Sequence, residues 1–307
     1  MKIWREISNF TVKNTVITIG SFDGVHLGHK HILSQLKTIA KQTNSKSVVF
    51  TFYPHPQAVL NPNKKFIKLT TIDEKIELIK ESGIDHLVIF PFTKDFSQIT
   101  YKEFIKSILL KKLNLKTLLI GYDNKIGNNG EGTFTQLTYL SKELDFNIIE
   151  QNKLITNGIT PNSTRIRELI LKDKLQDAYK LLGYSYFIKG KVIKGNQIGK
   201  KLEFPTANIQ LPEDKLIPSN GVYAVNISYK NNLYKGMMNI GTRPTIKDAS
   251  NKIIIEVHIF DFNKDIYDKY IKVSLLKKIR NEHHFQSLNE LKTQLKKDRD
   301  TILSIFS

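Results

Sequence analysis

The sequence predicts an α/β domain built on a parallel sheet, followed by a small antiparallel β-barrel that a carboxy-terminal helix closes. Three observations carry this. The 307 residues are too many for one core of ordinary size. In the first half, short apolar runs alternate with stretches of helical period. From Tyr186 to Leu288 strand-like runs succeed one another, with Gly, Pro and Asn between them.

The elements follow in order. Val16 to Gly20 is a buried strand, rich in β-branched residues, and His29 to Lys41 the helix after it. Ser47 to Phe52 is the second strand and Thr71 to Ser82 its helix. Leu87 to Phe90 and Thr117 to Ile120 are the third and fourth strands, with a helix over Tyr101 to Lys111 between them. A helix from Phe134 to Leu144 and a strand from Phe146 to Glu150 complete the set. Helices of this length between strands serve as crossovers, and crossovers make the sheet parallel. Ser163 to Lys172 and Asp173 to Leu182 read as two more helices, with Gly183 and Tyr184 as the hinge. The expected domains are therefore 1–183 and 184–307. In the second, Lys189 to Ile193, Val222 to Tyr229, Leu233 to Ile240, Lys252 to Phe260 and Lys272 to Leu276 are strands, and Leu288 to Phe306 is an amphipathic helix.

Composition narrows the function classes. There is no cysteine, so disulfides and thiolate metal sites are excluded. The first 20 residues carry Lys2, Arg5, Glu6 and Lys13, which breaks up any signal-peptide core. No run is apolar for long enough to span a bilayer. A cytoplasmic protein with no membrane partner is expected. The net charge of +18 comes from lysines scattered in pairs such as Lys64-Lys65 and Lys277-Lys278, without a basic tail. That is a solvated surface rather than a nucleic-acid footprint, and its positive potential helps gather anionic substrates.

The first chemical signal is Gly20-Ser21-Phe22-Asp23-Gly24-Val25-His26-Leu27-Gly28-His29, at the turn from first strand to first helix. Ligands of open α/β sheets bind there, and helix amides favour an anion. Gly24 and Gly28 let backbone approach a phosphate. His26 and His29 share one face of a helical turn. Paired imidazoles beside a polyphosphate suit nucleotidyl transfer, because charge builds on the α-phosphate oxygens. Further on, Ser163 and Thr164 suit a helix cap and Arg167 adds charge.

The second signal is denser. Gly190 to Gly195, Gly199-Lys200-Lys201-Leu202-Glu203-Phe204-Pro205-Thr206-Ala207-Asn208, Gly221 to Val225, Asn239-Ile240-Gly241-Thr242-Arg243-Pro244-Thr245 and Glu256-Val257-His258-Ile259-Phe260 follow one another. Glu256 is a lone acid in an aliphatic run. Alternation puts it on the face of Ile254 and His258.

Taken together, these segments resemble the bifunctional riboflavin kinase/FAD synthetase family over nearly the whole chain. The resemblance implies a Rossmann-like nucleotidyltransferase domain and then a riboflavin kinase barrel. It implies ATP as co-substrate, Mg²⁺ as metal, and riboflavin and FMN as the flavins handled. Glu256 becomes the base of the kinase reaction, and Thr206 and Asn208 serve the Mg-nucleotide, with Gly195, Gly199 and Lys200 in a loop over its phosphates. Gly20, Phe22, Asp23, Gly24, Gly28, Ser163, Thr164 and Arg167 serve nucleotide in the first domain, and His26 and His29 its catalysis. His55 and Pro56, in Thr51-Phe52-Tyr53-Pro54-His55-Pro56, serve flavin, as does Arg243; Asp123 serves both ligands. There are departures. Asn124 and Ile126 stand where the family has aromatics, Gly130 where it has Arg, Asn162 where it has Ser, Lys200 where it has Arg, and Glu203 where it has Gly. The loop around Asn124 thus offers less ring surface. That leaves open a chain with kinase activity alone, whose first domain binds nucleotide or RNA.

Overall fold

The structure, a computed structural model, describes residues 1–156, 158–195, 199, 202–244 and 251–306. Contacts divide it into two compact units, 1–163 and 164–307.

The first unit is a six-stranded sheet in the order β1-β4-β3-β2-β5-β6. Its strands are β1 (Lys2–Trp4), β2 (Thr15–Ile19), β3 (Lys46–Tyr53), β4 (His86–Pro91), β5 (Leu115–Gly121) and β6 (Asn147–Gln151). All pairs are parallel, as the alternation with helices predicts. β2 is buried along its whole length. From it the chain winds first to β3 and β4, then back across to β5 and β6, so the order reverses beside β2. A crevice opens at the carboxyl ends of the strands where such a reversal occurs. Helix α1 (Leu27–Gln42) starts there. Two short helices follow later elements, α2 (Pro56–Leu60) and α4 (Lys94–Ser97). Helix α3 (Ile72–Glu81) opens with a capping box, in which Thr71 Oγ accepts the Glu74 N–H and Glu74 accepts the Thr71 N–H.

Two features depart from expectation. The edge strand β1 is three residues long, too short to show a period. The helix expected over Tyr101 to Lys111 is one short turn, α5 (Tyr101–Glu103), running into a π-helix over Phe104–Leu110. The wider register turns Phe104, Ile105 and Leu109 inward together. Helix α6 (Phe134–Glu143) completes the unit.

The second unit is a closed antiparallel barrel in the order β10-β11-β8-β7-β12-β9. Its strands are β7 (Phe187–Ile193), β8 (Ala207–Gln210), β9 (Gly221–Tyr229), β10 (Asn232–Pro244), β11 (Asn251–Ile259) and β12 (Tyr270–Arg280). Five were expected; β8 is the sixth, four residues long, just past Pro205. Helices α7 (Ser163–Leu171) and α8 (Leu175–Leu182) precede the barrel, and Gly183 ends α8 with a left-handed φ of 72°. Helix α8 is tied to β12: the Tyr179 hydroxyl donates to the Leu275 carbonyl at 2.8 Å and Gln176 to the Leu276 carbonyl at 3.0 Å. The closing helix is α9 (Leu288–Ile305). Its Asp298, 2% exposed, accepts three bonds from the Arg280 guanidinium and one from Gln294. Removing one partner of a buried pair like this costs about 3–5 kcal/mol, because the other charge stays buried. Among the described residues no helix is long and apolar enough to cross a membrane.

Candidate active sites

Between β2 and α1 the turn takes left-handed φ at Phe22 (48°), Gly24 (80°) and Val25 (35°). These values are strained for Phe and Val, so the surroundings must hold them. Asp23 does this. It is 1% exposed. Its carboxylate accepts the Leu69 and Thr70 N–H groups at 3.0 Å each and the Thr70 hydroxyl at 3.2 Å. Gly24 N–H donates to Thr70 Oγ, and the Ser163 hydroxyl donates to the Asp23 carbonyl at 2.9 Å. Asp23 and Ser163 are therefore clasps of the turn. The Phe22 ring is buried over Gly20, where a Cβ would come within 3.1 Å of it.

His26 is the N-cap of α1, its Nδ1 accepting the His29 N–H at 3.3 Å. The two imidazoles stack with centroids 3.6 Å apart and planes 18° apart. Gly28 makes room for this: a Cβ there would lie 3.1 Å from His26 Cε1. Burial, then His26, then Lys75 hold the His29 pKa well below its usual value. The ring is neutral at pH 7, and its buried Nδ1 meets no hydrogen-bond partner among the described residues. Lys75, on α3, is buried, and burial lowers its pKa to about 8 against the opposing pull of Asp23. Sequence reading missed Lys75 and Thr70. Nothing in their local pattern separates them from an ordinary capped helix.

Nearby lies a cleft of about 350 Å³ bordered by Ile19, Pro56, Phe52, Phe92 and Phe96. Phe52 is 5.4 Å from Phe92 and 5.8 Å from Phe96, so the rings form one wall. His55 caps α2 and stacks on Phe66 at 4.1 Å. Asn124 donates to the Ile19 carbonyl at 3.0 Å, and Ile126, 7% exposed, has joined the core. The rings that wall this cleft come from β3 and the segment after β4. Gly130 borders the same cleft. Asp123 is exposed beside Tyr122, whose hydroxyl it binds. Thr164 and Arg167 lie in the first turns of α7, within the second unit.

In the barrel, Glu256 stands in register with Asn208 of β8 on one side and Asn239 of β10 on the other. Ile255, Val257 and Ile259 face the core. Glu256 and His258 border a cavity of about 250 Å³ with Gly199, Thr206, Asn239 and Glu282. A second cavity, of about 520 Å³, shares Asn239, Glu256 and Glu282. The expected face of β11 is therefore the one that lines both. The Asn208 side chain lies over Gly195, where any Cβ would collide with it. Arg243 is on β10, paired with Lys252. Lys200 lies outside the described residues. Thr206 and Asn208 bring neutral oxygen donors. Among the described residues no cluster of three His, Cys, Asp or Glu could hold a metal by itself. Such a donor pair suits a Mg²⁺ that arrives on a polyphosphate and keeps other oxygen ligands. Asn239 was missed as a site residue, although it sits at the start of the quoted Asn-Ile-Gly-Thr-Arg-Pro segment.

Comparison with known proteins bears on both units. A family model described as FAD synthetase matches residues 9–165, and one described as riboflavin kinase matches residues 182–306. A bifunctional riboflavin kinase/FMN adenylyltransferase of Buchnera aphidicola (from Schizaphis graminum) is 41% identical over 100% of this chain and 99% of its own. A protein of the same description from Escherichia coli K12 is 36% identical, over 100% and 98%. A solved structure from Streptococcus pneumoniae, titled a macrolide-efflux protein, superposes with a TM-score of 0.87 at 29% identity, covering 98% of this chain and 97% of that one.

Proposed function

This chain belongs to the family of bifunctional riboflavin kinase/FMN adenylyltransferases, and we propose which of its residues carry each reaction. It phosphorylates riboflavin to FMN and adenylylates FMN to FAD, with ATP as co-substrate in both steps.

The barrel carries the first step. The nucleophile is a ribityl hydroxyl, which is weak while protonated. Glu256 takes its proton as the oxygen attacks the γ-phosphorus and ADP leaves. Thr206 and Asn208 would hold a Mg²⁺ ion, which would neutralise phosphate charge there. The observation that carries this assignment is the register that sets Glu256 beside Asn208, where two cavities meet. Gly195 and Gly199 bring backbone close to the nucleotide, Lys200 adds charge there, and Arg243 serves the flavin.

The first unit carries the second step. The FMN phosphate is already ionised, so it attacks the α-phosphorus without a base, and pyrophosphate leaves. His26 and His29 donate to the α-phosphate oxygens as charge builds there. Gly20, Phe22, Gly24 and Gly28 shape the turn that receives nucleotide. Asp23 and Ser163 act by holding that turn. The aromatic cleft that Pro56 borders takes the flavin, and His55 and Asp123 serve it. A cytoplasmic location goes with two reactions that both draw on ATP.

Purified protein given riboflavin, ATP and Mg²⁺ is expected to yield FMN and then FAD by chromatography. FMN without FAD would remove the role of the aromatic cleft.

The barrel unit is expected to work alone. A fragment of residues 164–307 should fold and phosphorylate riboflavin. Starting instead at Tyr186 discards the Tyr179 and Gln176 bonds and the buried Ala178, Leu181 and Leu182 of α8. Each bond is worth about 1 kcal/mol and each large apolar side chain about 2. The melting temperature of the shorter fragment should fall by roughly 10 °C or more. Equal melting curves by circular dichroism would show that α8 is dispensable.

A further inference from the structure

The ladder between β8 and β11 is only two rungs long, Glu256 with Asn208 and Val257 with Ala207. The next rung would pair His258 with Thr206, but Thr206 lies outside β8. The link there is made by a side chain. His258 Nδ1 lies 2.8 Å from the Pro205 carbonyl. A carbonyl only accepts, so Nδ1 carries the proton and donates. The His258 ring also rests against Phe204, at 5.2 Å, and Phe260, at 5.6 Å. Phe204 in turn ties back the preceding loop, since its N–H donates to the Gly199 carbonyl at 2.8 Å.

We propose that His258 is a positioning residue of the kinase site: its bond to the Pro205 carbonyl and its contact with Phe204 set where Thr206 stands relative to Glu256, and so set the affinity for Mg-ATP. The inference rests on the assignment of Thr206 and Asn208 to Mg-ATP. Burial lowers the ring's pKa against the opposing pull of the Pro205 bond, and of the two nearby charges Arg299 of α9 lowers it further while Asp261 after β11 raises it. A neutral ring keeps Nδ1–H for the carbonyl without adding charge beside Glu256.

The test compares His258→Leu, His258→Asn and Thr206→Ala in the full chain. The Asn amide nitrogen falls near the place of Nδ1 and keeps the donor; Leu removes it. Loss of one such bond should raise the KM for Mg-ATP roughly tenfold in His258→Leu. kcat at saturating Mg-ATP and riboflavin affinity should change little, and His258→Asn should restore most of the KM. If Thr206→Ala weakens Mg-ATP use while His258→Leu leaves it unchanged, the positioning role is wrong. If His258→Asn is as impaired as His258→Leu, the donor is not what matters and the proposal falls. If all three bind Mg-ATP normally, the assignment of Thr206 itself fails. FMN adenylylation serves as the control for folding of the rest of the chain. Should His258→Leu fail to fold, His258→Met provides the same comparison with a more adaptable side chain.

Discussion

In Glu256→Gln, FMN formation from riboflavin is expected to fall by about 10²–10⁴-fold, the usual contribution of a positioned general base. The amide keeps the size of the carboxylate and its place between Asn208 and Asn239, so the barrel should be undisturbed. What is lost is the ability to take the hydroxyl proton. Riboflavin binding should persist, because the apolar cavity walls at Leu202, Phe204, Val222 and Leu295 are untouched. Adenylylation of supplied FMN should continue at its original rate, since it draws on none of these residues. Fluorescence titration with riboflavin and separate assays of the two half-reactions distinguish these outcomes. Near-normal phosphorylation by the variant would take the base away from Glu256.

Much of this was legible in the sequence, and the failures have physical causes. β2 and β11 declared themselves, one by an unbroken β-branched run and the other by a lone acid in an aliphatic run. β8 did not, because four residues after a proline show no period. The π-helix was hidden for a related reason. Phe104, Ile105 and Leu109 fit an α-helical stripe nearly as well as a wider one. At the sites, residue type pointed to His26, His29 and Glu256 but not to Thr70 and Lys75, which pack around the first turn. Asp23 is buried and holds the turn through bonds to Leu69 and Thr70, a role no local pattern announces. Gly28 also leaves room for the His26 ring, which its sequence pattern does not show. The cleft walled by Phe52, Phe92 and Phe96 was not legible because its rings come from separate segments of the chain.

His29→Ala should suppress FMN adenylylation by about 10²–10³-fold, the scale of losing one preorganised donor to transition-state charge. Riboflavin phosphorylation should be unaffected. The loss should appear in kcat more than in the KM for ATP, because the donor matters most when charge has accumulated. pH gives a second check. The His29 pKa is depressed, so the ring stays neutral across the ordinary histidine range and takes up a proton only below it. Adenylylation by the native protein should therefore show no change linked to His29 as pH falls through about 6.5. Vigorous FAD synthesis by His29→Ala, measured with FMN, ATP and Mg²⁺ supplied, would remove the paired-imidazole mechanism.

The closed barrel bears on which length changes this chain tolerates. Every one of its strands is paired on both sides. One inserted residue in β11 ahead of Glu256 would exchange the two faces of the strand, sending the acid inward and Ile255 out. β12 shows how the fold absorbs extra residues where it does. Its ladder to β9 skips once between Leu275 and Lys277 and again between Lys278 and Arg280. The residues left over, Leu276 and Ile279, pack on the core cluster of Phe204, Val222 and Ile302. An added residue is therefore accommodated as a bulge where its side chain has a core to enter. Beside Glu256 the neighbouring strands present Asn208 and Asn239, so insertions and deletions there should be rejected, while the turns between strands remain free to vary.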